Sequence, residues 1–125
     1  MKTRSKPCRT IPPADYPRLF EIAAEYLPGT TPQALEEMCK NFLNAVVGYY
    51  LDDTLVGVCY GMGVDDTHFS LDGITIVQPH NAQGWGGELL AFFERQVAAL
   101  GYKKISLGSA DGYVERFYLK NGLWI

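Results

Sequence analysis

Residues 80–90 read HNAQGWGGELL, with Gly84, Gly86 and Gly87 directly ahead of an amphipathic helical pattern. The first N–H groups of a helix lack partners, and the peptide dipoles make that end partly positive. Glycines there let an anion reach those donors without meeting a Cβ, and they permit positive φ where the loop closes into a nest. The chemistry on offer is a pyrophosphate site. A flexible strand-to-helix turn would carry the same glycines. Just upstream, His68, Ser70, Asp72 and Ile74 alternate along a strand-like run, which places them on one face. Asp72, or His68 with its reference pKa of about 6.5, could accept a proton there. Either is equally an ordinary strand residue at an exposed edge.

Other chemistries find no support in the spacing. A GxGxxG fingerprint counted from Gly84 would need glycine at Leu89, and GxxxxGK[ST] is absent, so neither a dinucleotide fold nor a nucleoside triphosphatase is indicated. Cys8, Cys39 and Cys59 form no CxxC and have no metal-ligand spacing. They are expected to be reduced thiols in the cytoplasm, Cys39 and Cys59 as packing groups, and no metal is expected. A net charge of −3 gives no bulk attraction for nucleic acid and tilts toward a cationic small partner. No run approaches about 18 apolar residues, and the basic start lacks a signal-peptide core, so no membrane partner is expected.

The elements that must hold these groups follow from periodicity. At 125 residues the chain is expected to form one domain, 1–125. CRTI, ending at Pro12, suits a short edge strand. Tyr16, Leu19, Phe20, Ala23 and Leu27 recur at helical spacing until Pro28-Gly29. Thr31 suits an N-cap with Pro32 at the first helical position, and Leu35, Met38, Cys39, Phe42 and Leu43 make a second stripe. VVGYYL, TLVGVCYG and HFSLDGITIV, separated twice by Asp-Asp-Thr, read as an antiparallel meander. Tyr49, Tyr50 and Tyr60 on it are more suited to core packing than to substrate contact. After the glycine loop, Leu89, Leu90, Phe93, Val97 and Leu100 make a helix capped by Gly101. KKISLGS then gives a strand parallel to HFSLDGITIV through a right-handed crossover. Asp111 can cap a last helix through Lys120. The result is an α/β (α+β) mixed sheet with helices on both faces.

This order of motifs resembles the GNAT superfamily of acyl-CoA-dependent N-acyltransferases. The family's loop, Q/R-x-x-G-x-G/A followed by two aliphatic residues, is matched by Asn81, Ala82, Gln83, Gly84, Trp85 and Gly86 with Leu89 and Leu90. Its later aromatic-Tyr-x-Lys-x-Gly-Phe signature is matched by Phe117, Tyr118, Leu119, Lys120, Asn121, Gly122 and Leu123. Asn81 replaces the family's Gln or Arg, and Asp111 stands where many members carry a cofactor-touching Asn.

The resemblance implies acetyl-CoA as co-substrate and a primary amine, of a small molecule or peptide, as acceptor. Backbone groups of Ile74, Thr75, Ile76 and Val77 would pair with the pantetheine amides like an added strand. An N–H near Ile76 would polarise the thioester carbonyl. Backbone N–H groups of Ala82, Gln83, Gly84, Trp85, Gly86 and Gly87 would take the pyrophosphate, with Asn81 at a further phosphate contact and Asp111 at the place that touches the cofactor. Trp85 would cover the nucleotide end or pack beneath the helix. Tyr118 matches the family's general acid for the leaving thiolate, although a tyrosine packing a helix on the sheet would look the same. Asp72 is the candidate base, with a water chain as the other route. The family usually closes with a β-hairpin, and only Leu123-Trp124-Ile125 follow Gly122. The last strand is therefore expected to leave an exposed edge, completed by a second copy in a homodimer or left as an incomplete acceptor wall. An incomplete wall would suit a non-catalytic acyl-CoA-binding or interaction module.

Overall fold

In the computed structural model, which describes residues 7–108, 114–120 and 123–124 with side chains through Ser106, seven strands lie side by side in chain order. They are β1 (Cys8–Thr10), β2 (Val47–Leu51), β3 (Thr54–Gly63), β4 (His68–Ile76), β5 (Lys104–Gly108), β6 (Val114–Lys120) and β7 (Leu123–Trp124). Every neighbouring pair is antiparallel except β4–β5, which is parallel. The helices are α1 (Tyr16–Tyr26), α2 (Pro32–Asn41) and α3 (Trp85–Ala99). Helix α3 is the crossover between the two parallel strands. Through β5 the mixed sheet is thus the one expected from the alternation of periods.

Local chemistry sets the joints. The Thr31 side chain accepts from the Ala34 N–H at 3.1 Å, with Pro32 opening α2. In the β3–β4 turn, Asp65 Oδ1 accepts from the N–H groups of Thr67 and His68 at 2.8 and 2.9 Å. These bonds, that from Thr67 foremost, hold the Asp65 carboxyl below its usual range. Gly84 (φ 81°) enters α3 and Gly101 (φ 101°) leaves it, both in the left-handed region that glycine tolerates best.

The sheet is covered differently on its two faces. On one, α3 packs Phe93 against Phe69, which also meets Phe42 and Tyr102 edge-on. On the other, Tyr60 is fully buried and donates to Thr30 Oγ1 at 2.9 Å, fixing the α1–α2 connection to the sheet. Tyr50 donates to Asp15 at 2.7 Å. Tyr49, Tyr50 and Tyr60 are all buried, as the packing expectation required. Cys39 and Cys59 are buried free thiols, and burial pushes the Cys59 thiol well up. Among the described residues no helix is long and apolar enough to cross a membrane, and no group of three or more His, Cys, Asp or Glu is placed to hold a metal ion.

The C-terminal part differs from expectation. The segment through Lys120 is strand β6, not a helix, and it pairs with β5 from Lys104↔Tyr118 to Gly108↔Val114. Val114, Phe117 and Tyr118 suit a strand, and β5 has a second edge of donors and acceptors to satisfy. With β7 antiparallel beyond it, β5 is not the open edge from which a homodimer was expected, so that reason for pairing falls away.

One core group works against stability. Glu94 on α3 is 2% exposed, and its Oε2 has no hydrogen-bond partner among the described residues. Burial, opposed by the Arg95 charge, pushes its carboxyl up to about 7. The folded state therefore holds this proton more tightly than the unfolded chain does. The stability it allows is complete below the unfolded value of 4.5 and is lost as pH rises through about 7. Glu94→Gln should remove this dependence and gain on the order of 3 kcal/mol over the parent at pH 8, relative to their difference at pH 4. Urea unfolding at the two pH values measures it.

Candidate functional site

The site begins with a mismatch in length. Parallel pairing of β4 with β5 runs from His68↔Lys104 to Leu71↔Leu107, but β4 continues to Ile76. Over residues 72–76 the described pairing of β4 is with β3 alone. The far half of β4 thus parts from β5 and leaves backbone donors and acceptors along one edge.

A β-bulge sits at the parting point. Tyr60 pairs with Gly73 and Gly61 with Leu71, so Asp72 is the extra, unpaired residue on β4. The bulge changes the alternation. Ser70 stands opposite Met62, whereas Ile74 stands opposite Cys59, on the other face. The expectation that Ser70, Asp72 and Ile74 share a face therefore fails at Ile74, because strict alternation does not survive an inserted residue. Gly73 is required here. A Cβ on it would meet the Tyr60 ring at 2.7–2.9 Å.

Asp72 is exposed as a residue, but its carboxyl is held locally. Ser70 Oγ donates to Asp72 Oδ1 at 2.8 Å. Partial burial raises the carboxyl above its ordinary range, and the Ser70 hydrogen bond partly offsets this. Burial chiefly, and then the nearby Asp72 charge, raises the Tyr60 phenol, against the hydrogen bond to Thr30. His68 has a different partner, lying with Nε2 2.6 Å from Oγ of the buried Ser106. Of the two candidate bases, Asp72 is the one at the parting of the strands.

Beyond the parting lies a cavity of about 490 Å³. Ile74, Thr75 and Ile76 form its β4 wall, and Gly84, Gly86 and Gly87 form the wall at the start of α3. Asn81, Gln78 and Tyr26, the last residue of α1, line it as well. A Cβ on Gly87 or Gly84 would meet nothing within 4 Å, and one on Gly86 would approach only Ile76, at 4.0 Å. The glycines are not demanded by protein packing. They keep the space in front of the helix donors open.

Several expected contacts are placed differently. The Val77 N–H donates to Val56 O at 2.8 Å and its carbonyl accepts from His80 N at 2.9 Å, leaving no free donor for a ligand. Trp85 is absent from the cavity wall. Its indole stacks between Tyr49 (centroids 4.8 Å apart) and His80 (5.3 Å), so the ring braces the loop from beneath. Ala82 and Gln83 belong to the loop but not to the cavity lining. Asp111 and the Tyr118 side chain lie outside the described residues. The Tyr118 backbone stands opposite Lys104, level with His68. That is four residues along β4 from Asp72, about 13 Å at strand rise. Tyr26 was missed because it stands outside the helical recurrence of Tyr16, Leu19, Phe20, Ala23 and Leu27 and in no motif.

A mixed sheet whose two parallel strands part beside a glycine-rich helix start defines an acyltransferase-type fold. The chain belongs to the acetyltransferase (GNAT) family, whose model matches residues 10–123. No curated protein matches it in sequence. Among solved structures it is similar to Ard1 from Thermoplasma volcanium, with a TM-score of 0.73 at 18% identity over 83% of this chain and 72% of that one. An aminoglycoside 6'-N-acetyltransferase complexed with coenzyme A gives 0.66 at 18% identity, over 82% of this chain and 61% of that one. Arabidopsis thaliana Naa50, in complex with the bisubstrate analogue CoA-Ac-MVNAL, gives 0.67 at 12% identity, over 80% and 69%.

Proposed function

We propose that this acetyltransferase moves an acetyl group from acetyl-CoA to a primary amine of a small molecule or peptide. The observation that carries the proposal is the cavity between the free edge of β4 and the glycine loop. An extended pantetheine arm can pair with residues 74–76 as a strand would, while the first N–H groups of α3 take the diphosphate. The thioester then lies toward the bulge, within reach of an amine on the Tyr60 face. Asp72 takes the proton that the amine must lose, and a backbone N–H freed by the parting of the strands, near Ile76, stabilises the tetrahedral oxyanion. Solved relatives bound to coenzyme A or a CoA–peptide analogue support the donor and leave the acceptor broad. Free Cys8, Cys39 and Cys59 suit a reducing compartment such as the cytoplasm.

Tyr118 is proposed as the acid for the leaving thiolate on the strength of its motif alone. Tyr118→Phe should lower kcat by about 10²-fold without changing the KM for acetyl-CoA. Unchanged kcat would assign that proton to water.

The deciding experiment is thermal shift with acetyl-CoA, CoA and ATP in parallel, followed by thiol release over a panel of small amines and peptide N-termini. Stabilisation by acetyl-CoA and CoA together with thiol release supports the proposal. Binding without turnover of any amine would make the protein an acyl-CoA-binding module. No shift with either CoA ligand would overturn both.

A further inference from the structure

Tyr26 takes no part in the motifs that define the family, yet it forms a wall of the cavity. It ends α1, on the Tyr60 face of the sheet, whereas the glycine loop opens α3 on the opposite face. The cavity is therefore bounded from both faces, and Tyr26 is the side chain that α1 contributes. Its ring is half-buried against the core. Its hydroxyl oxygen accepts from the Gln78 N–H at 3.2 Å.

That bond fixes where the hydroxyl can act. Gln78 lies two residues beyond the end of β4 and three before Asn81, on the approach to the loop and six residues from Asp72. Tyr26 is thus at the phosphate end of the cavity, away from the chemistry. A phenol has one proton to donate besides the lone pairs it offers. Among the described residues that proton has no acceptor, so it is available to a ligand. The described walls offer backbone N–H groups and the neutral side chains of Thr75, Gln78 and Asn81, and among the described lining residues there is no anion to compete for it.

We infer that Tyr26 is a binding residue for the diphosphate end of the acyl donor. Its hydroxyl, held by the Gln78 N–H, donates to a phosphate oxygen across the cavity from the α3 N-terminus. The inference rests on the acyl-donor site proposed above. A diphosphate would then be held from two sides, by peptide donors of the loop and by one phenol from a helix on the other face. A hydrogen bond to a charged acceptor is stronger than one between neutral groups, so its loss should be visible in affinity.

The test compares the full-length protein with Tyr26→Phe, using CoA and S-acetylpantetheine, which lacks the diphosphate. The expected result is about tenfold weaker CoA binding by calorimetry, a matching rise in KM for acetyl-CoA, unchanged kcat, and unchanged KM for S-acetylpantetheine. The exposed Gln78 N–H can turn to water, so the variant should melt close to the parent. Tyr26→Leu, which also removes the ring, should weaken both donors. Equal CoA affinity in parent and Tyr26→Phe would overturn the inference, as would an equal loss for both donors in Tyr26→Phe. A parent protein that binds no CoA at all would instead overturn the donor site itself.

Discussion

Gly86→Val should leave the protein folded and remove acetyl-CoA binding, raising its dissociation constant at least about 100-fold. The Cβ of the new side chain meets nothing closer than Ile76 Cγ1, at 4.0 Å, so no packed neighbour has to move for it, and the methyls beyond it point into the open cavity that Gly86 lines. Gly86 is the second residue of α3, where valine is a slightly better helix former than glycine, by a few tenths of a kcal/mol. The melting temperature without ligand should hold or rise slightly. The valine methyls, however, stand in the space where the diphosphate must approach the first N–H groups of the helix. Charge-assisted hydrogen bonds contribute about 1.5–3 kcal/mol each, and losing two exceeds the 2.7 kcal/mol that a 100-fold change represents, on the scale of about 1.4 kcal/mol per tenfold. Thermal shift on the same samples reads both halves of the prediction. A variant that acetyl-CoA still stabilises as fully as the parent would show that the diphosphate is not bound at this loop.

The same glycine loop shows how much was legible in the sequence. Three glycines ahead of an apolar helical stripe announce an open helix start, and the cavity lies there because backbone placement follows from local sequence. The meander, the parallel crossover and the Thr31 cap were legible for the same reason. What failed depended on partners distant in sequence. The bulge at Asp72 exists only as a register between β3 and β4, so no alternation within β4 could place Ile74 on its true face. Val77 is spoken for by Val56, some twenty residues away, and Trp85 by Tyr49 on another strand. The segment ending at Lys120 has a pattern compatible with a helix, and pairing with β5 makes it a strand. Tyr26 belongs to the site only because α1 ends beside Gln78. Features fixed by neighbours in sequence, such as the open helix start, were thus readable early, while those that depend on another strand or helix, as at Val77, Trp85 and Tyr26, needed the tertiary frame.

Asp72→Asn should lower kcat/KM by about 10²–10⁴ while leaving CoA affinity unchanged. Asp72 stands one residue beyond the last paired step of β4 and β5, on the bulge, close enough for its charge to act on Tyr60 and bonded only to Ser70 among the described residues. An asparagine fits the same space and keeps an oxygen for the Ser70 hydroxyl, so geometry survives while basicity is lost. The pH profile separates this from damage to the fold. Partial burial holds the Asp72 carboxyl above its ordinary value of 3.8, opposed by the Ser70 hydrogen bond. A base must be deprotonated to act, so the parent's rate should rise through that elevated pKa, and this limb should vanish from the residual rate of Asp72→Asn. Stability moves the other way. The folded parent binds this proton more tightly than the unfolded chain, so it loses stability as pH rises from 3.8 through the folded pKa. The asparagine variant has no such loss and should be at least as stable as the parent at neutral pH. A slow variant that melts no earlier than the parent would assign Asp72 to proton transfer. Full activity in Asp72→Asn would leave the amine's proton to water held at the parting of the strands.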